Sequence, residues 1–218
     1  MRILALDLLT DHLDNTKQFY KEILGLKIHS SNEGLISFSL GRSTLTFHQS
    51  AGEKPVYHFA FNIPHNQFQA AVDWAVKRLE LILIEPTGYV ADFKSWNARA
   101  FYFYDNNQNI VEMIARYDLP DASDKPFDGS SIYSISEIGA VVDDPLAFAE
   151  TLRHRHSLSY FSKQQPMKDF MAIGDDEGLF IIVPPKRTWY PTSTPSSKHY
   201  TRVHIEVNDQ QQEIVFNE

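Results

Sequence analysis

The sequence predicts an α+β fold built from repeated strand–helix–three-strand units, and three observations carry that expectation. Two-residue alternation, then helical spacing, then three short alternating runs occur from residue 3 and again from residue 56, a recurrence of about 53 residues that marks an internal repeat. The strands sort into one apolar and one mixed face: Leu4, Leu6 and Leu8 oppose Ala5 and Asp7, and Leu45 and Phe47 oppose Thr44, Thr46 and His48. Likewise Phe59, Phe61 and Ile63 oppose His58, Ala60 and Asn62, and Val111 and Met113 oppose Ile110, Glu112 and Ile114. Helices on the apolar side then leave a mixed, partly polar face for a small-molecule cavity. The third observation is the run from Phe101 to Met113. An aromatic strand enters a turn carrying Asp105, Asn106, Asn107 and Asn109, and the next strand holds Glu112 among apolar neighbours. A carboxylate in that setting is costly unless it is paired, hydrogen-bonded or bound to a cation.

The elements follow in order. Residues 3–9 alternate as a strand. Asp14 is the expected N-cap of a helix through Leu24, with Phe19, Tyr20, Ile23 and Leu24 buried and Gly25 as terminator. Strands are expected near 26–31, 34–40 and 43–49. The second unit has a strand at 56–63 and a helix from about Asn66 that buries Phe68, Val72, Ala75, Val76 and Leu79. Strands near 81–85, 98–104 and 109–116 complete it. Tyr117 to Ser131 is polar, contains Pro120, Pro126 and Gly129, and reads as a linker. The third unit opens at Ile132 and has the clearest helix start, Asp144 as N-cap with Pro145 at the first helical position. Strands near 157–163, 168–173 and 178–183 follow, then a Ser/Thr/Pro-rich loop over 188–197. Tyr200 to Val207 reads as the opening strand of a fourth unit, and the eleven residues after Val207 are too few for a helix and three strands.

Composition narrows the partners. The 218 residues are 43% hydrophobic and 13% aromatic, enough for a sizeable core, and the formal charge is −8. That balance, with scattered Lys and Arg, argues against nucleic acid and against a membrane surface. No apolar run approaches the ~20 residues of a membrane span. The start of the chain, interrupted by Asp7, does not read as a signal peptide. The absence of cysteine excludes disulfides, thiolate metal sites and cysteine nucleophiles, and is compatible with the cytoplasm, the expected location.

The helix Leu13 to Leu26 resembles the opening helix of the vicinal oxygen chelate superfamily, which contains the glyoxalases, bleomycin resistance proteins and ring-cleaving dioxygenases. His58-Phe59-Ala60-Phe61 resembles its second-unit opening strand, and Phe103 to Met113 its closing hairpin. The resemblance covers roughly residues 1–115 in order. It implies paired βαβββ modules forming cupped mixed sheets with helices on the outer face, the second half being incomplete. The expected division is a two-module glyoxalase-like domain over 1–117, a linker over 118–131, and a partial second domain over 132–218. It also implies a divalent metal, Zn, Ni, Mn or Fe, held by one residue from each of four strands. Those slots hold Ala5, Thr46, His58 and Glu112, so two match and two do not.

His48 lies on the same face as Thr46 but ~6.6 Å further along the strand, and is a third candidate ligand. Asp7 is displaced the same way. If the first and fourth strands are neighbours, Asp7 can orient and charge His48 as a general base. The expected site is therefore His58, Glu112 and His48 for metal, His48 and Asp7 for catalysis, and Thr46, Asn62 and Trp96 for the ligand. Each has a plainer alternative: a hydrogen-bonded filler for His48, an ion pair with a nearby Arg or Lys for Asp7, and core packing for Trp74, Tyr89 and Trp96. In the second half Glu137 falls in the first-strand slot and His204 in the slot matching His58, but 178–183 supplies no polar side chain. Structural support is the expected role there. Lys186 to Pro191 reads as a lid or a dimer contact. Two functions follow: a metal-dependent lyase, isomerase or dioxygenase acting on a small oxygen-rich molecule, or a metal-free binder of a small ligand in the manner of bleomycin resistance proteins. Because the third unit has only a stub to pair with, the second half is expected either to dock its sheet edge against the first half or to pair across a two-fold axis with a second copy, the homodimer being the preferred assembly.

Overall fold

Alternating apolar residues make β1 (Arg2–Thr10) a strand whose Leu6 and Leu8 are fully buried. A computed structural model of the chain, which describes residues 1–86 and 88–217, places helix α1 (Leu13–Gln18) after it, continued by a wider π-helical turn over Phe19–Ile23. The N-cap is His12, not Asp14: the His12 ring accepts from the backbone of Asn15, and Asp14 lies in the first turn, where its charge suits the helix dipole. Gly25 takes φ +71° and lets Leu26 N–H reach back to Tyr20 O at 2.9 Å, closing the helix as expected. Strands β2 (Lys27–Ser31), β3 (Leu35–Leu40) and β4 (Ser43–Gln49) complete the first unit.

The second unit is β5 (His58–Asn62), a 3-10 turn, α2 (Phe68–Ala75), β6 (Ala91–Phe93), β7 (Ala98–Tyr104) and β8 (Ile110–Arg116). Two expectations fail here. Helix α2 ends at Ala75, so Val76 is 49% exposed. Residues 81–85 make only isolated bridges, Leu81 with Phe103 and Ile84 with Gly88, because the chain turns at Gly88 (φ +80°) and the strand of this unit forms at β6 instead.

The third unit holds β9 (Ser134–Val141), α3 (Pro145–His156), β10 (Met171–Asp175) and β11 (Gly178–Val183). Asp144 caps α3 by accepting from Ala147 N, with Pro145 at the first helical position. The strand expected at 157–163 shrinks to one bridge, Tyr160 with Ile173, since Ser157 leaves the helix at φ +56° into a polar loop. The last residues do more than expected. Asn208 and Asp209, both at positive φ, turn β12 (Thr201–Val207) back into β13 (Gln210–Phe216).

Among the described residues the 13 strands join one sheet, whose main path runs β2-β3-β4-β1-β9-β5-β8-β7-β6. The units do not pair in chain order. β5 pairs antiparallel with β9, so the second unit faces the third. β1 pairs antiparallel with β12, so the first unit faces the C-terminal hairpin, and a single bridge, Ile3 with Ile135, links the β1–β12 pairing to the β5–β9 pairing. This corrects the expectation that the first two units share a cup: β9 takes the edge of β5, and β12 takes the edge of β1. The fold remains α+β with an incomplete fourth unit. One apolar core lies beneath the helices around Phe38, Phe47, Phe59 and Phe61. A second cluster, including Ala60, Trp96, Tyr102, Ile181 and Trp189, lies against the β5–β9 region of the sheet.

A candidate metal centre at the floor of an aromatic cavity

Strand register builds this site. Ala60 on β5 has Glu112 of β8 as partner on one side and Glu137 of β9 on the other, and His58 precedes it by two residues on the same face. The methyl side chain of Ala60 leaves space over which the two longer carboxylates converge. Ligand atoms of His58, Glu112 and Glu137 all lie within 4.8 Å of one another, and all three residues are buried.

The imidazole orientation is set by its backbone contact. His58 Nδ1 lies 3.0 Å from Ile110 O, and a carbonyl only accepts, so Nδ1 carries the proton and Nε2 keeps its lone pair. Nε2 lies 3.8 Å from Glu112 Oε2. A ring nitrogen held this way is the arrangement in which histidine serves as a metal ligand. Burial pushes the imidazole pKa down to about 4, so His58 is neutral.

The carboxylates are strained electrostatically. Burial, then the charge of Glu137, pushes Glu112 well above the usual carboxylate range, against the pull of Arg116 and a hydrogen bond from Tyr102. Burial also raises Glu137, opposed by the Arg116 guanidinium with which it pairs. Arg116 is fully buried: Nε donates to Ser136 Oγ at 3.1 Å, Nη1 lies 3.5 Å from Asp176, and the group sits 5.5 Å from the Trp96 ring centre. The donor set of one imidazole and two carboxylates, with a fixed tautomer, fits a divalent cation.

Above this floor lies a cavity of about 320 Å³ walled by Phe93, Trp96, Tyr102, Phe170, Trp189 and Tyr190. Trp96 donates to Gln164 Oε1 at 3.4 Å, and the Trp189 ring centre lies 5.0 Å from that of His58. The Trp189 indole N–H is buried without a partner among the described residues.

The structure separates the expected residues into two groups. His58, Glu112 and Trp96 belong to the cavity. Asp7, Thr46 and His48 sit on β1 and β4, and in the strand order β1 and β9 lie between β4 and β5, ~14 Å at about 4.8 Å per strand. His48 is therefore not brought to His58 and Glu112. It lies 3.4 Å from Asp7, whose other oxygen meets Arg202 at 3.3 Å. Burial acts to raise the Asp7 pKa, and these two partners outweigh it and hold the carboxyl low. Thr46 bonds Ser37 at 2.9 Å, and Asn62 is buried with Nδ2 donating to Ser134 Oγ at 3.1 Å. Trp74 packs in the helix-side core against Phe127, and Tyr89 is 43% exposed away from this cavity. Glu137 and Arg116 were absent from the expected site. The signal for Glu137 was its slot on the third opening strand, which gains meaning only once that strand pairs with β5.

No protein-family model matches the sequence, and no curated protein matches it. Solved structures do. A dioxygenase candidate from Bacillus subtilis superposes with a TM-score of 0.61 at 16% identity, over 91% of this chain and 65% of that one. Glyoxalase I from Zea mays superposes with a TM-score of 0.55 at 16% identity, over 89% of this chain and 70% of that one. The chain thus spans less than two thirds of the length of the Bacillus protein. It shares the fold of these dioxygenase and glyoxalase structures, which is the fold that the sequence resemblance implies. No helix among the described residues is long and apolar enough to cross a membrane.

Proposed function

We propose that the chain is a metal-dependent enzyme of the vicinal oxygen chelate type, acting on a small oxygen-rich molecule by a lyase, isomerase or dioxygenase reaction. The observation that carries this reading is the convergence of His58, Glu112 and Glu137, from three strands, at the floor of an aromatic cavity. A bound Zn, Ni, Mn or Fe ion would polarise two adjacent substrate oxygens as a Lewis acid. The protein residues supply the setting. Ile110 O holds the His58 tautomer, Tyr102 holds Glu112 by a hydrogen bond, and Arg116 balances Glu137. Trp96, Trp189 and Tyr190 line the cavity with aromatic surface. Under this reading Asp7 and His48 form a hydrogen-bonded pair in the other half of the sheet and take no part in the chemistry.

The test is elemental analysis of purified protein. A stoichiometric Zn, Ni, Mn or Fe signal that disappears in a His58→Ala, Glu112→Ala double variant is the expected result. No metal above background after soaking in excess ion would remove the enzyme reading. One observation favours a second reading, a metal-free binder of a small ligand: Arg116 already pairs Glu137, and Tyr102 already bonds Glu112, so the floor has internal partners. The same analysis separates the two.

A further inference from the structure

The segment Lys186 to Pro191, which sequence alone left as a lid or a contact, contributes Arg187, Trp189 and Tyr190 to the cavity wall. Its backbone is pinned as a hairpin: Lys186 N–H donates to Ser196 O at 2.8 Å, Ser196 N–H to Arg187 O at 2.7 Å and Trp189 N–H to Thr194 O at 2.9 Å. Arg187 is thus presented from a loop that is tied back on itself by backbone hydrogen bonds and by the isolated bridge of Thr188 with Pro195. Apart from the neutral His58, it is the one basic side chain among the described residues lining the cavity.

Its present partners are weak. Nε lies 3.5 Å from Asp169, whose side chain is 62% exposed, Nη1 donates a long 3.3 Å bond to Thr188 O, and the guanidinium centre sits 5.1 Å from the Phe170 ring centre. An exposed pair of this kind contributes little, whereas a carboxylate inside the cavity meets the planar fork in a drier setting and can accept two parallel bonds. Most of the remaining wall is aromatic, with Ser95, Gln164, Met167 and Ile181 between the rings and Glu112 and Glu137 confined to the floor, which suits a flat apolar body.

We propose that Arg187 anchors the anionic group of a planar monocarboxylate ligand lying between the aromatic walls, exchanging Asp169 for the ligand carboxylate. The inference rests on reading this cavity as the substrate site, and it names the substrate class: a small flat acid whose other end reaches the floor. The Arg187–Asp169 pair also joins the 163–170 loop to the hairpin, so entry of the acid releases one wall from the other.

The experiment uses chelator-treated full chain, so that no cation answers for the anion. Trp96 and Trp189 fluorescence is titrated with benzoate and with its neutral isostere benzamide. Benzoate is expected to bind about tenfold tighter than benzamide. Arg187→Gln is expected to abolish that preference, Arg187→Lys to keep part of it, and Asp169→Asn to tighten benzoate. The last result is a gain that misfolding does not produce. Equal binding of the two ligands, no saturable benzoate binding, or a preference that survives Arg187→Gln overturns the proposal. If that happens while His58, Glu112 and Glu137 still bind a cation, the anion anchor fails alone. If the cation is not bound and the benzoate preference holds, the metal reading fails alone.

Discussion

At the scale of single residues, His58 shows how burial turns a titratable group into a neutral donor. Folding removes it from water and lowers its pKa from 6.5 to about 4. Below 6.5 the unfolded chain takes up a proton that the folded imidazole refuses, so stability falls as the pH drops through this window, until the folded form also protonates near 4. Metal-free protein should therefore lose about 2 kcal/mol from this group between pH 7 and pH 5. Urea denaturation at the two pH values, compared with His58→Asn, checks this. The variant should lack that step, and an unchanged pH dependence would contradict the assignment. His58 and Glu112 were legible in sequence because a strand histidine and a lone carboxylate among apolar residues are costly oddities. Arg116 was not, since it sits at the very end of its strand, next to the linker, where an arginine ordinarily reaches solvent. Only the fold shows it to be buried.

At the scale of elements, alternation located β1, β4, β5, β7 and β8 well, because each alternates an apolar face with one of mixed residue type, even where, as in β5 and β8, both faces are buried. The short pieces failed where turn chemistry outweighed propensity: Gly88 displaced a strand to β6, and Asn208-Asp209 made a hairpin of a stub. The 184–197 hairpin depends on one glycine. A Cβ on Gly139 of β9 would meet the Trp189 ring at 2.6 Å, so Gly139→Ala must push the indole off His58 and change the cavity wall. The expected outcome is a destabilisation of ~1–3 kcal/mol together with a shifted tryptophan emission. A variant with wild-type emission and an unchanged melt would show that Trp189 is not held there.

At the scale of the whole molecule, sequence showed the repeat but not its partners. Hydrophobic faces specify that a unit must pair, not with which other unit, and the four opening strands look alike to any rule of alternation. The structure resolves this by closing the second half onto the first through β5–β9 and β1–β12. That removes the unpaired stub on which the homodimer expectation was built. Light scattering at micromolar concentration reads the assembly, and a mass of 25.1 kDa would exclude a two-fold dimer. The pairing also predicts that a 1–117 fragment, stripped of β9 and β12, exposes the edges of β5 and β1 and is insoluble. A soluble, folded fragment would show that the second half shields nothing.

The central claim is that this cross-pairing assembles one cation site from His58, Glu112 and Glu137. Titration of chelator-treated protein with Co²⁺, followed by calorimetry and by visible absorption, tests it most directly. The account predicts one equivalent bound. His58→Ala, Glu112→Gln and Glu137→Gln should each weaken binding by about 10–100-fold or more, the range seen when a metal's immediate surroundings are altered. His48→Ala should bind like the wild type. Absence of binding, or a Glu137→Gln variant as tight as the wild type with His48→Ala impaired, would contradict it.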